Sequence, residues 1–192
     1  MKFIYLASAC LTLIVSTSHA QLVIKPALGI NFTDFSKDPG TGEYKSKVGY
    51  QVGGSVEIGQ KLYFEPGLYW THKSTEYTTT SSSGQNIDYN MSGIRIPLTV
   101  GYSILGGTKS LVNVRALGGF SGFFLTSISD LDKDAFNTAT WGLYAGAGVD
   151  IMMFYMDFQY EWSLSKVGDD VTVADVGKTR SLFINAGIRF RL

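Results

Sequence analysis

Apolar and polar residues alternate along most of this chain, and the alternation runs to its last residue. From Leu182 the even positions are Leu, Ile, Ala, Ile, Phe and Leu, whereas Asn185, Gly187, Arg189 and Arg191 occupy odd ones. A period of two with one oily and one wet face predicts a β-strand. Seven further stretches read the same way: 21–35, 48–58, 62–71, 89–104, 110–125, 141–151 and 154–164. In the first, Leu22, Ile24, Pro26, Leu28, Ile30 and Phe32 share one face and Lys25, Asn31 and Thr33 the other. In the seventh, Phe154, Met156, Phe158, Tyr160 and Trp162 oppose Tyr155, Asp157, Gln159 and Glu161.

The segments between these strands alternate in length. Residues 36–47, 73–88, 126–138 and 165–178 are long and polar, while 59–61, 105–109 and 152–153 are short. Alternating long and short connections between an even number of strands are the mark of an up-and-down barrel with extended outer loops and tight inner turns. The aromatic residues agree. Trp70, Trp141 and Trp162 fall on the oily face toward the long connections, and Phe64, Tyr102, Phe154 and Phe190 fall on that face toward the short ones. Two such girdles are what a barrel needs at the two surfaces of a bilayer. The prediction is an all-β fold, an eight-stranded antiparallel up-and-down transmembrane β-barrel over residues 21–192. A soluble lipocalin-like cup would turn the oily face inward. It fits poorly, because Gly49, Gly53, Gly67, Gly93, Gly101, Gly119, Gly142, Gly146, Gly148 and Gly187 crowd the polar face. Glycine there suits a narrow interior that must also hold Tyr63, Tyr69, Tyr144, Arg95 and Arg115.

The amino terminus adds a destination. Lys2 precedes an apolar run over residues 3–15, and Ser18 and Ala20 stand where a signal peptidase reads small residues, so residues 1–20 are expected to be a cleaved secretory signal. The run is shorter than the ~20 residues of a membrane span. Cys10 lies within it, so the mature chain is expected to lack cysteine, and with it disulfides and thiolate metal sites. The 16 basic and 16 acidic residues cancel, which gives no electrostatic case for nucleic acid.

Register places Lys25, Arg95, Arg115, Arg189 and Arg191 in the interior with Glu57, Glu65, Asp150, Asp157 and Glu161. Charges buried in such numbers must pair. Eight strands enclose a space that side chains can fill, so a salt-bridged plug is expected and a narrow ion or small-solute channel is the alternative. For catalysis the candidate is His72, with Ser74 and Glu76 following it at the lipid interface, where the three could act on a lipid ester as a triad does. The His-x-Ser order is similar to that of outer-membrane lipid A deacylases, without their flanking pattern. Asp130, Asp132 and Asp134 in the acidic stretch 126–138 have the spacing that opens a calcium loop. Ala135 stands where the sharp-turn glycine is required, and no glutamate follows at the twelfth position. No cofactor is expected.

The strand texts Lys25-Pro-Ala-Leu-Gly-Ile-Asn31, Phe64-Glu-Pro-Gly-Leu-Tyr69, Ile94-Arg-Ile-Pro-Leu98 and the run from Gly142 to Val149 resemble the PorT-like outer-membrane β-barrel domain family over essentially the whole mature chain. That resemblance implies a small barrel in the outer membrane of a Gram-negative bacterium. Its founding member is tied to protein secretion, and the family offers no catalytic motif to carry over. The expected function is that of a monomeric, non-enzymatic structural or interaction protein of the cell envelope. Its partners would be outer-membrane lipid and other envelope or secretion proteins.

Overall fold

The computed structural model describes residues 21–35, 42–79, 86–106, 110–128, 139–165 and 179–192. Its strands are β1 (Gln21–Phe35), β2 (Gly42–Ser46), β3 (Val48–Gly59), β4 (Leu62–Thr79), β5 (Asn86–Leu105), β6 (Val112–Ile128), β7 (Ala139–Ile151), β8 (Phe154–Ser163), β9 (Thr179–Ile188) and β10 (Phe190–Arg191). All pairings are antiparallel: β1 with β3, β2 with β4, and β3 to β8 each with the next in order, while β1 also pairs with β9 and β10, which closes the sheet. β2 and β3 form one stave interrupted at residue 47, and β9 and β10 another interrupted at residue 189, so the barrel has eight staves. Closure removes the unpaired sheet edge that hydrocarbon cannot tolerate.

The sidedness is that of the predicted barrel. Ile94, Leu143 and Phe158 are 42%, 41% and 43% exposed on the outside, whereas Arg95 is 0% and Glu161 7% exposed within. The seven girdle residues, Trp70, Trp141, Trp162, Phe64, Tyr102, Phe154 and Phe190, are all exposed on the oily face. The inside is narrow. Tyr63 lies opposite Gly101 on the neighbouring stave, and a β-carbon on Gly101 would collide with the Tyr63 ring. At the short-turn end, Gly59 adopts a φ of 136°, a backbone that L side chains rarely enter, and so makes the tight turn between β3 and β4.

Two expectations need correction. Residues 36–47 and 73–88 contain more strand than their patterns suggested: β2 pairs with the far end of β4, and β4 and β5 remain paired out to Thr78 and Asn86. Thr75, Tyr77, Thr78 and Thr79 are residue types that favour strands. This upper hairpin extends past the tryptophans, where neither face needs to be oily, so the period of two fades although the pairing continues. The second correction concerns Arg191, which is exposed. It lies opposite Val23 on the last two residues of the closing stave, at the short-turn rim, where the residue is open to solvent. Residues 1–20, residues 80–83 of the hydroxyl-rich tract 78–83 and residues 129–138 of the acidic stretch 126–138 lie outside the described residues.

Because Tyr63 fills the space over Gly101 and donates no room to a branched side chain, Gly101→Val is expected to cost about 1–3 kcal/mol by overpacking. Denaturant titration of the refolded barrel, followed by its heat-modifiable gel migration, should show the lowered midpoint. An unchanged midpoint would mean that the ring is free to move aside.

Candidate functional site

Alternation on a strand sends every second side chain into the lumen, so eight adjoining staves stack their polar residues in layers. At the short-turn end Arg189, carried at the break between β9 and β10, reaches Glu57 of β3 at 2.6 Å through Nη2 and Asp150 of β7 through Nη1. Asn113 donates to Asp150 at 2.9 Å. One layer up, the Lys25 ammonium of β1 donates to both oxygens of Glu65 at 2.9 Å and lies 3.5 Å from Asp157. Arg115 of β6 bridges Asp150 and Asp157, each at 2.7 Å, and donates to the Tyr63 hydroxyl at 3.0 Å. Ser55 donates to Glu65, and the Tyr155 ring lies 4.4 Å below the Lys25 ammonium. Three cations and four carboxylates thus share one network.

Toward the long connections the pattern changes. Arg95 of β5 clasps Glu161 of β8 with Nε at 3.1 Å and Nη2 at 2.7 Å, and Ser121 donates to the same carboxylate oxygen at 2.6 Å. The guanidinium rests 4.1 Å from the centre of the Phe183 ring. A neutral tier follows, in which Thr71 donates to Gln51 at 3.1 Å and Gln51 donates to Asn185. Above Arg95, Lys73 is 6% exposed, its ammonium 4.8 Å from the Phe123 ring centre and 5.5 Å from that of Phe183.

Nine of the ten charges expected inside are therefore buried together: Lys25, Glu57, Glu65, Arg95, Arg115, Asp150, Asp157, Glu161 and Arg189. The tenth, Arg191, is not among them, and Lys73 takes its place. Sequence reasoning passed over Lys73 because it assigned residue 73 to a loop. The signal was parity: Lys73 continues the inward series Tyr63, Glu65, Gly67, Tyr69 and Thr71.

His72 is on the outward face of β4, directly opposite Ser92 of β5. Its Nδ1 shares a hydrogen bond with the Ser92 hydroxyl at 2.9 Å, and its ring lies 5.0 Å from that of Tyr50 and 6.4 Å from that of Trp70. This differs from the loop histidine expected beside Ser74. The Ser74 hydroxyl donates instead to Asn90 at 2.7 Å, because residues two apart on a strand point the same way and each meets its cross-strand partner first. The side chain of Glu76 lies outside what the structure describes. Among the described residues no three His, Cys, Asp or Glu side chains are grouped as a metal site.

Comparison with solved structures finds the same fold in two bacterial outer-membrane proteins. OprG from Pseudomonas aeruginosa is 13% identical, with a TM-score of 0.51 over 90% of this chain and 94% of its own. Neisserial surface protein A is 16% identical, with a TM-score of 0.53 over 89% of this chain and 97% of its own. The search of curated proteins returned no match. The family model described as the outer membrane protein beta-barrel domain matches residues 17–169. A closed barrel with its oily face outward, matched over most of its length by that model, belongs to the outer membrane protein beta-barrel domain family and resides in the outer membrane of a Gram-negative bacterium.

Proposed function

We propose that this barrel is a non-enzymatic structural and interaction component of the outer membrane. In this reading it acts as a monomer whose long connections are presented, from a firmly tied barrel, to another envelope protein. The observation that carries the reading is the filled lumen. Lys25, Arg115 and Arg189 tie β1, β6 and the last stave to carboxylates on β3, β4, β7 and β8. Ties across the lumen oppose both shearing of the staves and passage of solutes. The finer assignment to the PorT-like group, with a role near protein secretion, rests on the strand texts around Lys25, Phe64, Ile94 and Gly142.

Three outcomes are expected. In planar bilayers the purified protein should give no steady unitary conductance, because moving an ion past the Lys25, Arg115 and Asp157 layer requires breaking buried ion pairs. Reproducible open channels would favour the solute-path reading instead. A photo-crosslinker carried at Ser82 or Asp132, in the long connections, should capture a discrete envelope protein in intact cells, while one at Lys61 in a short turn should not. Lipid adducts alone at all three positions would remove the interaction role. Finally, His72→Ala should leave the lipid A profile of the cell unchanged, since the His72 and Ser92 pair is read as a cross-strand tie among interfacial aromatic rings. A shifted acylation pattern on mass spectrometry would reinstate lipid hydrolysis.

A further inference from the structure

The buried charges are unevenly distributed along the barrel axis. Among the described buried residues, the short-turn half holds Lys25, Arg115 and Arg189 with Glu57, Glu65, Asp150 and Asp157, and the long-connection half holds Lys73 and Arg95 with Glu161 alone. Five cations and five carboxylates balance overall, yet each half is out of balance by one, with the positive excess at the outer mouth. Glu161 is committed to Arg95 and Ser121. The Lys73 ammonium feels the same Glu161 electrostatically but makes no close ion pair with it, so one carboxylate faces two cations, and the ammonium lies against the faces of Phe123 and Phe183. Arg95, fully buried, uses Nε and Nη2 and leaves Nη1 with no hydrogen-bond partner. Both cations rest against the Phe183 ring.

A buried cation that must share its one carboxylate with a second cation is expensive, and so is a buried guanidinium N–H with nothing to donate to. The two cations around one ring, with a single carboxylate between them, make a place suited to a further anion. We propose that the outer mouth of the lumen binds a small tetrahedral oxyanion, of the phosphate or sulfate class, between Lys73 and Arg95. The ammonium supplies a compact charge, and the free Nη1 supplies a directed donor of the kind that recognises oxyanions. The neighbouring hydroxyls of Thr71 and Ser121, both buried on adjoining staves, keep the surroundings polar. The four carboxylates of the lower network repel an anion that descends farther, so this is a place of binding and not of passage.

The test uses the full mature chain in phosphatidylcholine nanodiscs, with inorganic phosphate titrated against chloride at constant ionic strength. Calorimetry should show one saturable site per barrel. Acylation of Lys73 by a small amine-reactive ester, read by peptide mass spectrometry, should slow as that site fills. Lys73→Met, which keeps the packing between the two rings, should weaken binding about tenfold, the loss of one charge-assisted contact. Lys73→Arg should retain it. Heat-modifiable migration checks that each variant is folded. If Lys73→Met does not assemble, protection of Lys73 in the natural protein and binding by Lys73→Arg decide the matter. Absence of saturation, undiminished binding by Lys73→Met, or Lys73 acylation indifferent to phosphate would each overturn the assignment.

Discussion

In hydrocarbon a backbone N–H or C=O without a partner costs several kcal/mol, and no water is present to relieve it. The seam between the first and last staves therefore governs the whole molecule. It is built from a long pairing of β1 with β9, a short one with β10, and a final bond in which the Leu192 amide donates to the Leu22 carbonyl at 2.9 Å. The terminal alternation of aliphatic and polar residues follows from that duty. The last stave must present an oily edge to lipid, an inward arginine to the lumen and a full ladder to β1, all within about ten residues. Arg189 does the second of these at the point where the ladder is interrupted.

Closure with so few staves fixes the size of the lumen, and that size sets the chemistry inside. Side chains must fill it, and those able to face lipid have been placed outside. What remains are long polar groups whose charges need partners and aromatic rings whose bulk needs room. The Tyr63 and Gly101 pair meets both needs at once: the ring occupies the space of a missing side chain, and its hydroxyl accepts from Arg115. Buried ion pairs add little net stability over an apolar filling, because desolvation offsets most of the attraction. Their value here is specificity. A register slip by one residue would turn Arg95 and Arg115 toward acyl chains, a penalty that oily side chains on both faces would not impose.

The same reasoning explains what could be read from the sequence. Within the lipid-facing band, alternation is compulsory, and the staves and the inward positions of Lys25, Glu57, Arg95, Arg115 and Glu161 follow from parity alone. Past Trp70 the compulsion ends. Residues 73–79 can be paired strand with both faces wet, so nothing in their hydropathy separates them from a loop, and Lys73 went unplaced. Arg191 illustrates the reverse: it keeps the inward parity of Arg189, but parity says nothing about where the lumen stops. The partnership of His72 with Ser92 was out of reach for a third reason. It depends on cross-strand register, which two strands joined by a long connection do not declare.

The cations without a carboxylate of their own lie at the tryptophan belt and on the side of it away from the short turns. Below it, each buried cation has its carboxylates, and the outer surface has only lipid to meet. At the belt Nη1 of Arg95 has no hydrogen-bond partner among the described residues, above it Lys73 makes no close ion pair with one of them, and His72, Ser92, Ser74 and Asn90 place hydrogen-bonding side chains on an outward face. This division is physical before it is functional. An outward-facing polar side chain is tolerated only where water can reach it, and that zone begins where the hydrocarbon ends. The lower half is thus bound to stability and the upper half free to recognise, whatever partner the long connections engage.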